Sequence, residues 1–167
     1  MTTYLSAHQS QFLPWPPYFR KVALSNVFVW MDAVQFQRGQ ASSVQHRNKL
    51  HTEKGEMWLS LALQKCALDT PIREVKLSHP AINNKKWDQL KQGYAKAPFW
   101  RVHCDPLHLL LCQHGYDTLD EMNFSVFSYL LNYLEIETPI IRLSSLGVSG
   151  HKTDLLVNMC QDRKSVV

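Results

Sequence analysis

The chain has 167 residues, of which 45% are hydrophobic, 19% charged and 11% aromatic, with Lys+Arg 18 against Asp+Glu 14. A chain of that size is expected to form one domain that buries roughly two-thirds of its unfolded surface, and the composition excludes a disordered polymer. The formal net charge of +4 suits anionic small molecules such as nucleotides, but the basic residues are scattered, so nucleic acid is not an expected partner.

No apolar run is long enough to span a bilayer, so no integral membrane segment is expected, and no signal-peptide pattern precedes Pro14. The cysteines Cys66, Cys104, Cys112 and Cys160 form no Cys-x-x-Cys pair. Reduced thiols in a cytoplasm are the simplest reading.

In chain order, residues 3–7 predict a short strand ending at His8. His8 to Pro17 follows as a loop, because Pro14, Pro16 and Pro17 exclude a regular helix or a central strand. Tyr18 to Leu24 reads as a short helix, and Val27 to Met31 as a strand buried on both faces. Strand, helix and strand in that order make one βαβ unit. It places His8 and Asp32 at strand carboxyl ends, where open α/β sheets bind ligands.

Gln37 to Ser43 reads as a polar loop, Glu56 to Leu63 as a strand, and Ile72 to Leu77 as a strand with imperfect period two. Asn84 to Lys96 has helical spacing at Trp87, Leu90 and Tyr94, and Pro98 stops it. Pro106 to His114 predicts a second helix with Pro106 near its first turn. Thr118 and Glu121 form a capping box for a helix to Leu134. Thr138 to Leu143 completes the strands, and Lys152 to Cys160 opens a last helix after the glycine-containing loop at Gly147. The alternation argues an α/β class.

Candidate chemistry falls into four groups. His8, Gln9, Gln11, Trp15 and Tyr18 on a proline-locked loop can hold phosphates or polarise a reacting oxygen; the alternative is a packed aromatic corner. Asp32 and Gln35 after the buried strand, with Gln45, Arg47 and Asn48 in the next loop, can bind a nucleotide or sugar ring, the Arg fork being suited to phosphate; the alternative is a charge cluster that fixes the loop. Ser144 to Thr153 ends in Lys152-Thr153 at a helix start, an anion site without Walker A spacing; a simple capped helix start fits as well. His103, Cys104, His108, Cys112 and His114 match no zinc module, so packing is the better reading and no metal site is expected.

His8-Gln9-Ser10-Gln11-Phe12-Leu13-Pro14-Trp15, followed by Tyr18-Phe19-x-Lys21, resembles the opening motif of the WbqC-like proteins. Ser10, Phe12 and Pro17 stand where that motif has Pro, Tyr and Gly. Further resemblance runs through Phe28 to Phe36, Gln45 to Lys49, Trp87 to Phe99, Leu119-x-x-x-Asn123, and Ser145 through Gly150-x-Lys152-Thr153.

The resemblance implies a bacterial cytoplasmic protein of O-antigen or other surface-polysaccharide biosynthesis, a glycine (aminoacyl) transferase acting on a nucleotide-linked amino sugar. Other enzymes of that biosynthesis would be its partners. Amide formation from a free carboxylate needs activation, so ATP with Mg2+ would be the co-substrate. His8 and Gln9 would contact phosphate or the reacting carbonyl, and Asp32 would orient the acceptor amine or a ribose hydroxyl. Arg47 and Lys152 would bind phosphate, with Gln11, Trp15, Tyr18, Lys21, Gln35, Gln45, Asn48 and Thr153 completing the substrate or nucleotide site.

A fainter likeness, a His at the end of the first strand, implies a Rossmann-like three-layer sandwich of the HIGH-superfamily kind with a mostly parallel sheet and a helical C-terminal half. Two other functions fit the same residues: a nucleotide- or sugar-binding accessory protein without catalysis, and a nucleotidyltransferase. Asp162 to Val167 reads as a translated sequencing adapter. The expectation is a family domain over 1–161, incomplete at its C-terminus, followed by a non-native tail.

Overall fold

The computed structural model describes residues 3–39, 43–52 and 55–163. Residues 40–42 of the loop expected at Gln37–Ser43 and 164–167 of the tail expected over Asp162–Val167 therefore lie outside the described residues.

Strand β1 (Leu5–Gln9), helix α1 (Pro16–Ala23) and strand β2 (Val27–Met31) form the anticipated βαβ unit, with β1 and β2 parallel and His8 in register with Trp30. Strand β5 (Ile140–Arg142) joins the other side of β2, also parallel, giving a three-stranded sheet of order β1-β2-β5. Alternation on β2 sends its side chains to both faces. Phe28 and Trp30 pack against Tyr18, Phe19 and Val22 of α1 and against Phe127 and Leu131 of helix α4 (Leu119–Tyr133). Val29 packs with Leu155 and Met159 of helix α5 (Thr153–Arg163). The class is thus mixed α/β, with helices on both sides of a parallel sheet.

Helix α4 forms where its local signals place it. Thr118 Oγ1 accepts from the Glu121 N–H, and Glu121 Oε2 accepts from the Thr118 N–H. Its opposite side, Met122 and Val126, belongs to the largest apolar cluster, with Phe12, Leu50, Leu59, Trp87 and Leu111. Helix α4 therefore joins the sheet layer to the rest of the molecule.

Three expectations are corrected. Gln45 to Asn48 was expected as loop, but Arg47–Thr52 is a strand, β3, paired antiparallel with β4 (Gly55–Ser60). Only Leu50 of β3 is fully buried, so no alternating apolar pattern announces the strand. Ile72 to Leu77 is not a strand: Ile72–Glu74 is a 3-10 turn followed by isolated bridges at Lys76 and Leu77. The fully buried pair, Ile72 and Val75, is spaced by three rather than two, which is the period of that turn. Pro106 does not open a helix, because it lies inside α3 (Trp100–His108). Its missing N–H removes one helical bond, and the chain continues as a π-helical turn over Leu109–Gln113. Helix α2 (Asn84–Tyr94) ends short of Pro98 as expected, with the Asn83 side chain capping its start.

Candidate functional site

β1 is an edge strand of its sheet among the described residues, and its outward carbonyls need donors. Helix α1 supplies them. Lys21 Nζ donates to Ala7 O at 2.7 Å, and Tyr18 Oη donates to Gln9 O at 3.1 Å. Tyr18 and Lys21, expected to bind substrate, thus hold α1 onto β1. Burial and the nearby Asp120 carboxylate push the Tyr18 phenol far above its usual range, so it stays a donor.

The Tyr18 ring lies 4.6 Å from the His8 ring. His8 Nδ1 is 3.2 Å from Gln9 O and 3.4 Å from Gln11 Nε2. A carbonyl oxygen only accepts and an amide NH2 only donates, so the two contacts call for opposite tautomers; the shorter, to Gln9 O, forms when Nδ1 carries the proton and leaves Nε2 as the acceptor. Burial holds the His8 pKa below the usual histidine value; the bond to Gln9 O opposes that shift and the Lys21 charge adds to it. His8 is therefore a neutral base near pH 7.

Next to it an amide relay has a defined direction. The backbone N–H of Gln37 donates to Gln45 Oε1 at 2.8 Å, and Gln45 Nε2 donates to Gln9 Oε1 at 2.8 Å. A backbone N–H can only donate, so the orientation of both amides is fixed. Gln9 must present its NH2 group away from Gln45. Asn123 Nδ2 holds the relay from beneath, donating to Ser10 Oγ at 3.0 Å and to Gln45 O at 2.8 Å.

These groups border a cleft of about 380 Å³ lined by Ala7, His8, Gln9, Gln11, Met31, Gln37, Val44 and Gln45. Gln11 is only 6% exposed, and its Oε1 has no hydrogen-bond partner among the described residues. The cleft thus offers a donor at Gln9 and an acceptor at His8, with no permanent charge, and Gln11 Oε1 lies buried behind them. An adjoining cleft of about 320 Å³ shares Gln9 and Gln37 and adds Gln35 and Arg38.

The remaining expected residues lie elsewhere. Asp32 is 1% exposed and turns inward: Oδ1 accepts the Ser144 N–H at 2.9 Å, and Oδ2 accepts Ser144 Oγ at 2.6 Å, with Arg142 NH1 at 3.5 Å. Arg142 NH1 also donates to Asp120 Oδ2 at 2.6 Å, and Trp30 Nε1 donates to Asp120 Oδ1 at 2.7 Å. This buried network ties β2, α4 and β5 together and does not line either cleft.

Arg47 stacks over Trp58 at 4.5 Å and donates to Ser43 O at 3.3 Å, outside both clefts. Asn48 Nδ2 donates to Leu13 O at 2.6 Å and Phe12 O at 3.3 Å, clamping a loop in which Leu13 has φ +48°. Lys152 and Thr153 sit exposed at the start of α5.

Trp15 borders a third cavity of about 390 Å³, walled by Leu13, Pro14, Tyr94, Phe99, Trp100 and His103 among others. It is the most apolar of the three. Its amide, Asn48, is engaged by the loop, and Lys49 is paired with Glu56 at 2.5 Å. Its histidine, His103, is tied through Nδ1 to Tyr129 Oη at 2.8 Å, whereas the His8 cleft sets a histidine beside amides of fixed direction and is the better seat for chemistry.

Sequence reasoning missed Gln37, Arg38, Asp120, Asn123 and Arg142. Asp120 was visible only as a polar residue on the apolar side of a helix, a signal for a buried network, and Asn123 only as the end of the Leu119-x-x-x-Asn123 motif. The histidines of the fourth group pack against aromatic rings: His103 on Tyr133, His108 on Trp87 and His114 on Tyr116.

A family model described as the WbqC-like protein family matches residues 9–165. The chain is 25% identical over 154 residues to the uncharacterized protein Rv1507c of Mycobacterium tuberculosis, a match covering 92% of this chain and 65% of that protein. The chain thus spans less than two-thirds of that relative's length. No solved structure matches.

Proposed function

The chain belongs to the WbqC-like protein family, and from that premise we propose an amide-forming transferase of surface-polysaccharide biosynthesis that passes glycine, or a related amino acid, to the amine of a nucleotide-linked amino sugar. The observation that carries the chemistry is the pairing, at the end of β1, of a neutral His8 with a Gln9 amide whose NH2 faces outward.

Amide formation needs a base for the amine proton and a donor for the carbonyl oxygen. In this reading the amine nitrogen of the sugar bonds to the activated acyl carbon, and the carbonyl oxygen gains negative charge beside Gln9 Nε2. His8 Nε2 takes one amine proton. The leaving group departs with its bonding electrons as the carbonyl reforms. Gln11 backs the cleft, with its Nε2 3.4 Å from His8 Nδ1. The amide lining suits an uncharged, hydroxyl-rich ring.

ATP with Mg2+ would supply activation of the acyl carboxylate. Among the described residues no group of three His, Cys, Asp or Glu side chains could hold a metal ion, so Mg2+ fits best as an ion carried in on the nucleotide. Asp32 and Asp120 support the strand ends rather than touching substrate. The helix–sheet–helix layering supports a Rossmann-like core, with His8 at the end of β1 as in the HIGH-superfamily comparison.

The purified protein incubated with Mg-ATP, glycine and a panel of nucleotide-linked amino sugars tests the reading by mass spectrometry. A glycyl adduct on the sugar, with AMP or ADP beside it, supports it. Pyrophosphate release from a nucleotide and a sugar phosphate, with no adduct, would replace it with the nucleotidyltransferase reading.

A further inference from the structure

The two clefts that meet at Gln9 and Gln37 differ in charge. The His8 cleft has no permanently charged lining residue, and its neighbour has one, Arg38. We propose that Arg38 is the anion anchor of the site, holding the diphosphate of a nucleoside diphosphate-linked substrate while the sugar end lies against Gln9 and His8. The choice of which end reacts rests on the transferase reading; the anchor itself does not.

Three observations support the assignment. First, Arg38 NH1 donates to Cys66 O at 3.0 Å. This contact holds the guanidinium over the cleft and leaves its NH2 and Nε donors for a ligand. Second, no ion pair among the described residues neutralises Arg38, whereas Lys49, Arg73 and Arg142 each face a carboxylate. Third, the residues expected from sequence to take phosphate are elsewhere: Arg47 lies on Trp58, and Lys152 stands at the start of α5. A planar guanidinium fork matches two phosphate oxygens at once. An anionic group at Arg38 and a neutral, hydroxyl-rich ring among the glutamines is the charge pattern of a nucleotide-linked sugar.

Isothermal calorimetry with UDP, uridine, inorganic pyrophosphate and glycine tests this on the intact protein. The wild type is expected to bind UDP more tightly than uridine and to bind pyrophosphate measurably. Arg38→Gln is expected to weaken UDP binding by about 10- to 100-fold, the range for losing hydrogen bonds to a charged group, and to abolish the preference over uridine. Arg38→Lys should recover part of it, and Arg101→Gln, on the exposed side of α3, none of the loss.

Unchanged UDP affinity in Arg38→Gln, even with a lowered melting temperature, would reduce Arg38 to a staple for the loop at Cys66 and overturn the proposal. So would a response to glycine alone, since the anion would then be a carboxylate. If Arg38→Gln does not fold, equal wild-type affinity for uridine and UDP, with no pyrophosphate binding, overturns it equally. Diphosphate binding without glycyl transfer would leave the anchor standing and remove the transferase.

Discussion

Gln45 donates from Nε2 to Gln9 Oε1 across 2.8 Å while its own Oε1 accepts the Gln37 N–H, so Gln45 decides which end of the Gln9 amide is left free. Glu at position 45 could still accept from Gln37 but could not donate to Gln9. The Gln9 amide would then lose its fixed direction. Gln45→Glu is expected to cut kcat by roughly 10²–10³-fold, as for loss of an oxyanion donor, with a smaller change in KM. Steady-state kinetics of adduct formation check it; equal loss in binding and turnover would mean a simple fold defect.

On the proposed reading, His8 is expected to set the pH dependence. Its pKa lies below the usual 6.5 through burial, despite the bond to Gln9 O, and Lys21 lowers it further. The rate should fall on the acid side below that value, where Nε2 is protonated and cannot act as a base. Lys21→Met removes a positive charge and should move this limb to higher pH. A limb that stays fixed in Lys21→Met would assign it to another group.

Stability follows the same groups. Burial lowers the pKa of both His8 and His46 from 6.5. Below about pH 6.5 the unfolded chain binds protons that the folded chain does not, so stability is full above this range and declines as pH falls through the folded values. Thermal melts from pH 8 to pH 5 should show a falling midpoint, flattened in the double variant His8→Gln/His46→Gln.

Arg142 stands 36% exposed between two carboxylates that are 1% and 2% exposed, Asp32 and Asp120. Arg142→Met would leave both buried charges without a counterion, a loss on the order of 3 kcal/mol, the low end for a broken buried pair because Arg142 is partly solvated. Urea denaturation measures it. Replacing Asp120 by Asn as well should recover part of the loss, since one uncompensated charge is then removed.

How much of this was legible in the sequence depends on where each signal resides. Helix α4 and strand β2 were legible because their determinants are local: the Thr118–Glu121 box and the apolar run Val27–Met31. Strand β3 was not, because its pairing with β4 is made by backbone and by one inward leucine. Asp32 was read as a ligand-facing acid from its place after β2, but its partners Ser144 and Arg142 are more than one hundred residues away. His8 and Gln9, expected at the end of the first strand and in the opening motif, do border a cleft there. Gln37 and Arg38 were not expected, because they sit in a polar loop with no pattern until the fold brings it against β1.

The loop that follows His8 offers a separate check. Asn48 clamps the carbonyls of Phe12 and Leu13, with Leu13 at φ +48°. A non-glycine residue there costs about 1–2 kcal/mol, so the loop should relax when the clamp is cut. Asn48→Ala should speed hydrogen exchange at the Phe12 amide, which donates to Val44 O at 3.1 Å, while α4 keeps its protection.

The central claim, that His8 is the base of an acyl transfer to an amine, is tested most directly by single-turnover glycyl transfer in wild type and His8→Gln, with nucleotide affinity measured on the same samples. The account predicts an adduct in the wild type, and in His8→Gln a rate lower by roughly 10²–10⁴-fold, the usual worth of a general base, with nucleotide affinity unchanged. An adduct formed by His8→Gln at the wild-type rate, or no adduct from a wild type that binds nucleotide, would contradict it.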